Sequence, residues 1–209
     1  MNSTAGSAIA TGTSRGAQIA AGKDGSVQVI WNGNTGTKPE AEARAPLLHA
    51  RLVKGAKAFS IQQNLSDDTT ARDGGASIAA NQQGRVAVVW HAAPAGKQDE
   101  NARRVWVQWS DNDGATFSAA TPLNNKPPRV CACCSLRAYL SADGTLSVLY
   151  RAAMTPADRG RWLITSTPGQ STPAKLDDWR IAACPMGKLP VWSYAAAYAR
   201  PDGVFTILF

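Results

Sequence analysis

A glycine recurs four times along this chain at nearly equal intervals, and a strand-like segment follows it each time. The four segments read DGSVQVIW (24–31), QGRVAVVW (83–90), DGTLSVLY (143–150) and DGVFTILF (202–209). Their glycines, Gly25, Gly84, Gly144 and Gly203, are separated by 59, 60 and 59 residues. Such regular spacing indicates an internal repeat of about 60 residues, which restricts the fold to architectures built from copies of one supersecondary unit.

The residues around each glycine predict β-structure. Apolar or aromatic side chains stand two, four and six positions after it, as Val27, Val29 and Trp31 do in the first copy. A period of two after an Asp-Gly or Gln-Gly turn is typical of a strand entered through a hairpin. Small apolar residues before the glycine predict an inner strand. The predicted third strands are LLHARL (47–52), VWVQWS (105–110) and WLITS (162–166), and shorter fourth strands follow.

Each copy is therefore predicted to be a four-stranded antiparallel meander. One such sheet cannot bury both of its faces alone, so neighbouring copies must stack. The predicted fold is all-β, a β-propeller with these sheets as blades, forming a single domain or fragment over residues 1–209. The repeats cover residues 15–70, 71–128, 129–188 and, in part, 189–209. A six-bladed ring would need about 360 residues, so we expect an incomplete ring that a longer chain or a homodimer completes.

Composition and charge narrow the partners. The chain has 209 residues, is 44% hydrophobic and carries a formal charge of +7. Its basic residues are scattered, with no basic run beyond Arg103 and Arg104, which argues against nucleic acid and leaves an anionic ligand. There is no run of 18 apolar residues, so no membrane span is predicted. The first fourteen residues lack the basic and apolar regions of a signal peptide.

The segment SDNDGATF (110–117) connects the predicted third and fourth strands of the second repeat. An EF-hand loop that began at Asp111 would require Glu at its twelfth position, where Pro122 stands. The segment resembles instead the Asp-box, or BNR repeat, of sialidases and related propellers, written S-x-D-x-G-x-T-W or F. The corresponding residues are Ser110, Asn112 in place of the usual Asp, Gly114, Thr116 and Phe117. The resemblance implies a sialidase-type propeller, in which these five residues form a structural hairpin.

The same resemblance implies which residues a catalytic site would need. Sialidases of this kind bind the sialate carboxylate with an arginine triad and use a Tyr–Glu pair in catalysis. In this chain the glutamates are Glu40, Glu42 and Glu100, and all three fall in predicted loops. Because glycoside hydrolysis needs two acidic groups or such a pair, the sequence favours binding without cleavage. An exo-sialidase, or another glycoside hydrolase, is the enzymatic alternative.

Candidate ligand-binding residues precede the predicted inner strands. Arg15, Arg72 and Arg129 occupy such positions, which gather at one mouth of a propeller channel, where guanidinium groups hold a carboxylate by bidentate bonds. Solvated loop arginines are the alternative interpretation. Trp192, with Trp109 and Trp179, is a candidate for stacking on a sugar, and core packing is its alternative. The predicted partner is an anionic glycan or a protein ligand.

Cysteines form a second distinctive pattern. RVCACCSLRAYL (129–140) contains Cys131, Cys133 and Cys134, and IAACPMGK (181–188) contains Cys184. We predict a disulfide from Cys184 to Cys131 or Cys134, because exported proteins favour disulfides. The alternative is a copper or zinc site formed by the four thiolates and Met186, with His91 or His49 as a further ligand.

The C-x-C-C motif and a later W…CPM element, Trp179 to Met186, are similar to those of exported bacterial proteins labelled sialidase-like. That similarity implies a secreted or periplasmic protein and supplies no activity.

Overall fold

The computed structural model describes residues 16–33, 46–66, 69–70, 75–97, 99–124, 129–132, 134–153, 161–166, 176–182, 196–199 and 205–208. Within these ranges the chain forms β-strands, turns and two short 3₁₀ turns, and no α-helix. None of the helical turns in this part of the chain has the length or apolar character to cross a membrane. The prediction of an all-β chain is confirmed for the described residues.

The strands form three larger sheets and a two-stranded one. The first sheet contains β1 (Gln18–Ala21), β2 (Val27–Asn32), β3 (Leu47–Leu52) and β4 (Gln63–Asn64). The second contains β5 (Thr69–Thr70), β6 (Ser77–Ala80), β7 (Val86–Pro94), β8 (Arg104–Ser110) and β9 (Thr121–Pro122). The third contains β10 (Arg129–Val130), β11 (Arg137–Leu140), β12 (Leu146–Ala153), β13 (Arg161–Ser166) and β14 (Leu176–Ala182). The last contains β15 (Ala196–Ala199) and β16 (Phe205–Leu208).

Each larger sheet is built around a four-stranded antiparallel meander. The strands follow the orders β1-β2-β3-β4, β6-β7-β8-β9 and β11-β12-β13-β14, and each strand pairs antiparallel with the next. Short strands β5 and β10 pair with the far ends of β7 and β12. The predicted four-stranded antiparallel sheets are therefore confirmed.

Gly25, Gly84 and Gly144 stand in the turns between the first two strands of the three meanders. Gly25, Gly84 and Gly144 have φ values of +80°, +85° and +85°. A positive φ costs an L-residue with a side chain steric energy that glycine avoids. Glycine therefore recurs at these three positions because each tight turn requires a positive φ.

The sheets stack through the first strands of their meanders. β1 contacts β6, and β6 contacts β11. An apolar cluster that includes Ile30 and Trp90 fills the space between the first and second sheets. A second cluster, which includes Val107 and Tyr150, lies between the second and third sheets. Neighbouring sheets thus bury faces that one sheet alone would expose, whereas closure of the sheets into a ring stays a prediction.

β7 is longer than the predicted segment 83–90. It continues to Pro94, because His91 and Ala92 pair with β8, and Ala93 and Pro94 pair with β5. Gln28, on the second face of β2, is fully buried. The burial of this amide results from its contacts with the neighbouring sheet, which are described next.

Candidate functional site

The connections of the stacked sheets lie at two opposite ends. In an antiparallel meander, the turns after the first and third strands share one end, and the connection after the second strand lies at the other. At the first of these ends, the second sheet has two turns, residues 81–85 and 110–117. They are joined by a 2.7 Å hydrogen bond from the Asp113 N–H to the Gly84 carbonyl. We call this the Asp-box end. The opposite end, comprising residues 91–97, 99–104, 129–132, 134 and 150–153, is called the arginine end.

The turn 110–117 is closed by its own side chains. The Ser110 hydroxyl accepts from the Gly114 N–H at 2.9 Å and from the Asn112 N–H at 3.3 Å. The Asn112 amide oxygen accepts from the Thr116 N–H at 3.0 Å, and its nitrogen donates to the Thr116 hydroxyl at 2.8 Å. Asn112 thus accepts the backbone bond that a carboxylate would accept and adds a donor. Phe117 packs against the cluster between the first two sheets.

Asp113, which the sequence interpretation passed over, binds this turn to the first sheet. Its carboxylate accepts from the Lys23 N–H at 3.1 Å and from the Ser26 hydroxyl at 2.9 Å. Its carbonyl accepts from Gln28 Nε2 and Arg51 Nη1, both at 3.0 Å. The sequence signal for this role was the position of Asp113 directly before the turn glycine Gly114. Asp is a residue type that tolerates a positive φ, and the φ of Asp113 is +55°.

His49 and Gln28 form a buried polar pair beneath this turn. His49 Nε2 donates to the Gln28 amide oxygen at 2.9 Å, and neither residue is exposed. Burial lowers the pKa of His49 from 6.5 to about 4, and the positive charge of Arg51 acts in the same direction. His49 therefore lies at the Asp-box end as a neutral hydrogen-bonding residue, away from the cysteines with which it was considered as a metal ligand.

The arginine end concentrates positive charge. Arg129 begins β10, and Arg104 begins β8, opposite Ala92 of β7. Both side chains are half-buried, and burial together with the charge of Arg129 lowers the pKa of Arg104. Among the described residues of this end, the basic ones are Lys97, Arg103, Arg104, Arg129 and Arg151, and the acidic ones are Asp99 and Glu100.

Both acidic residues of this end bind backbone groups. The Asp99 carboxylate caps the 3₁₀ turn Glu100–Ala102 by accepting from the Asn101 N–H at 3.0 Å. The Glu100 carboxylate accepts from the Ala132 N–H at 2.9 Å. Glu100 therefore ties the connection between β7 and β8 to the segment that carries the cysteines.

The described cysteines meet at the same end. Cys131 Sγ lies 2.8 Å from Cys134 Sγ, and Cys134 Sγ lies 3.6 Å from Arg151 Nη1. His91 Nε2 donates to the Cys134 carbonyl at 2.6 Å. Cys131 is fully buried, whereas Cys134 is half-buried.

Several predicted site residues fall outside the described part of the chain, namely Arg15, Arg72, Trp192, Cys133, Cys184 and Met186. The proposed disulfide from Cys184 and the copper or zinc site therefore stay predictions. In the ranges that the structure describes, no group of three or more His, Cys, Asp or Glu side chains could hold a metal ion. Of the three predicted ligand-binding arginines, Arg129 is described. The strand that it begins, β10, lies against β8, which begins at Arg104, a residue that the sequence analysis named only as part of a basic pair.

Trp109 is a core residue. It is 2% exposed, and the Arg85 guanidinium lies 4.4 Å from its ring centroid. The expectation that it stacks on a sugar is wrong, because β8 directs it into the cluster between the second and third sheets. The side chain of Trp179 lies outside the described part of the structure.

Comparison with solved structures identifies the fold. No family model and no curated protein sequence matches the chain. The chain is similar to a Hadza microbial sialidase, with 14% identity and a TM-score of 0.57 over 75% of this chain and 36% of that one. It is also similar to a sialidase from Trypanosoma rangeli in complex with 2,3-difluorosialic acid, with 12% identity and a TM-score of 0.56 over 86% and 33%. The fold is sialidase-like.

A third similar structure has no assigned function. It comes from Dyadobacter fermentans, with 13% identity and a TM-score of 0.58 over 92% of this chain and 60% of that one. The chain thus spans between a third and three fifths of the length of these three structures. At such low identity the similarity establishes the sialidase-like fold and leaves the activity to be argued from the site.

Proposed function

We propose that the protein binds an anionic glycan at the arginine end and does not cleave it. The observation that carries the proposal is that β10, which Arg129 begins, lies against β8, which Arg104 begins. Burial and the positive charge of Arg129 both lower the pKa of Arg104. Two like charges in a half-buried place repel each other, and an anion placed between them replaces repulsion with attraction. Guanidinium groups also match the geometry of a carboxylate through paired N–H donors.

The sialidase-like fold favours a sugar as the carrier of that anion. Sialidases are among the similar structures, and the one from Trypanosoma rangeli holds a sialic acid derivative. A carboxylate-bearing sugar would combine the charge that the arginines attract with hydroxyl groups for polar contacts. Because such glycans are found mainly outside the cytoplasm, a secreted or periplasmic location is part of the proposal.

Binding without cleavage is supported by the role of Glu100. Its carboxylate accepts a hydrogen bond from the backbone of Ala132. Glu100 therefore acts in holding the loop, whereas a glycosidase needs acidic groups on both sides of the scissile bond. Sialidase activity is the alternative that the experiment must separate from binding.

The test is calorimetric titration of the full chain with 3′-sialyllactose, with lactose as the neutral control. We expect saturable binding of the sialoside alone, weakened about tenfold or more in Arg129→Gln and Arg104→Gln because a charged hydrogen bond is lost. Lys57→Gln, which removes an equal charge from an exposed turn at the Asp-box end, is the matched control and should bind as the wild type does.

A parallel assay with a fluorogenic sialoside addresses the alternative. The proposal predicts no release of fluorophore above the rate without protein. Turnover that is lost in Arg129→Gln and kept in Lys57→Gln would replace binding by sialidase activity. Equal affinities of wild type, Arg104→Gln and Arg129→Gln would remove the arginine end as the site.

A further inference from the structure

The cysteine segment at the arginine end has a geometry that suits chemistry between its two described sulfurs. Cys131 and Cys134 are separated by Ala132 and Cys133, so that the first and last cysteines of the C-x-C-C motif form a C-x-x-C pair. Their sulfurs lie 2.8 Å apart. A disulfide bond is about 2.0 Å long, so a small movement would bring the two sulfurs into a direct sulfur–sulfur bond.

The surroundings distinguish the two sulfurs. Cys131 is fully buried, and Cys134 is half-buried and lies 3.6 Å from Arg151 Nη1. A guanidinium beside a sulfur stabilises the thiolate, which is the form that attacks a disulfide. The more accessible cysteine is therefore also the one with the cation beside it.

Three anchors on neighbouring strands and turns hold the segment in place. The Cys131 N–H donates to the Arg151 carbonyl at 3.0 Å, and the Ala132 N–H donates to the Glu100 carboxylate at 2.9 Å. His91 Nε2 donates to the Cys134 carbonyl at 2.6 Å. These bonds hold Cys131 against β12 and Cys134 against β7, which keeps the two cysteines near each other.

We propose that Cys131 and Cys134 form a thiol–disulfide exchange site for disulfide-bearing thiol compounds or peptides, with Cys134 as the attacking sulfur. The Cys134 thiolate attacks one sulfur of the reactant, forms a mixed disulfide and releases the other half as a thiolate. Cys131 then loses its proton and attacks the Cys134 sulfur, which closes the Cys131–Cys134 bond and releases the second half. The reactant gains the two electrons that the two cysteines lose.

This site does not depend on glycan binding, and it differs from the cross-link to Cys184 predicted from the sequence. A Cys184 cross-link would be a permanent staple between repeats. The exchange site needs only the short segment 131–134 and its anchors, and it can cycle between two states.

The experiment uses the full chain, reduced and then mixed with oxidised glutathione, with acid quenching and peptide mapping by mass spectrometry. The wild type should accumulate a Cys131–Cys134 bond and little glutathione adduct. Cys131→Ser should trap glutathione on Cys134, and Cys134→Ser should leave Cys131 unmodified because it is buried. Cys184→Ser is the control and should form the same internal bond as the wild type.

Arg151 is assigned as a positioning and charge-supplying residue for Cys134. In a Cys131→Ser background, Arg151→Met should slow adduct formation about tenfold near neutral pH and move its pH profile to higher pH, since less thiolate is present. Arg151→Lys keeps the charge and should recover most of the rate. Thermal melting of each variant establishes that it is folded before its rate is compared.

Three outcomes would overturn the assignment. The first is a Cys184 bond to Cys131 or Cys134 as the product in the wild type. The second is glutathione on Cys131 in Cys134→Ser at the rate seen for Cys134. The third is one copper or zinc ion per purified chain that protects both thiols from alkylation.

Discussion

At the scale of single residues, the most unusual feature is the buried pair of His49 and Gln28. The imidazole donates to the amide oxygen, and the Gln28 Nε2 donates to the Asp113 carbonyl of the adjoining turn. His49 Nδ1 has no hydrogen-bond partner among the described residues. A second proton on this ring would be buried, so the structure favours neutral His49.

A pH dependence of stability follows from this pair. The folded state takes up the His49 proton near pH 4, whereas the unfolded chain does so near 6.5. Stability is therefore complete above pH 6.5, and it falls as the pH drops toward 4. Urea denaturation should show a loss of about 2 kcal/mol between pH 7 and pH 5 that is absent in His49→Gln. An equal loss in both proteins would assign the dependence to other groups.

At the scale of elements, the turn 110–117 joins two sheets. Asp113 contributes acceptors to Lys23 and Ser26 of the first sheet, while Ser110 and Asn112 keep the turn closed. A turn that belongs to the second sheet is thereby fixed to the first. The contact therefore stabilises the stacking of sheets as well as the local hairpin.

Substitution of Asp113 measures this contact. Asp113→Ala removes both carboxylate bonds and places alanine at a φ of +55°, so we expect a loss of about 2 kcal/mol in the free energy of unfolding. Asp113→Asn keeps one acceptor oxygen and a residue type suited to that φ, and should lose less than half as much. Equal losses in the two variants would mean that charge, and not the hydrogen bonds, holds the turn.

Gly114 tests how closely the turn approaches the first sheet. Its φ is +77°, and an added Cβ would collide with the Gln28 amide oxygen. Gly55 has a φ of +82° with open space around it, so Gly55→Ala reports the backbone strain alone. We expect Gly114→Ala to cost about 1 kcal/mol more than Gly55→Ala, since Gln28 must move away from His49. Equal melting curves for the two variants would contradict the close approach.

Strand type and order could be read from the sequence because they depend on local patterns. The period of two after Gly25, Gly84 and Gly144 and the turn chemistry of the glycines are properties of each segment alone. Asp113 and Gln28 could not be assigned in this way. The bonds of Asp113 to Lys23, Ser26 and Gln28 join residues 85 to 90 positions apart in sequence and in different sheets.

The candidate site likewise combines a residue that the sequence suggests with one that it does not. Arg129 was proposed as a ligand-binding residue because it precedes an inner strand. Arg104 belongs to another sheet, so its relevance appears only when the sheets are stacked. Likewise, the sequence showed a cluster of cysteines, and the structure places the sulfur of Cys131 against that of Cys134.

At the scale of the whole molecule, hydrogen bonds between adjacent sheets occur at both ends. Asp113 joins the second sheet to the first at the Asp-box end, and Glu100 and His91 join the second sheet to the third at the arginine end. The arginine end also holds the sulfur pair and the half-buried Arg104 and Arg129. The proposed function requires that an anionic sugar bind between these two arginines.

A crystal structure of the protein grown with 3′-sialyllactose is the most direct test of that claim. The account predicts an intact sialoside whose carboxylate lies within hydrogen-bonding distance of the Arg104 or Arg129 guanidinium. A sugar bound at the Asp-box end, or a free sialic acid produced by cleavage, would contradict it.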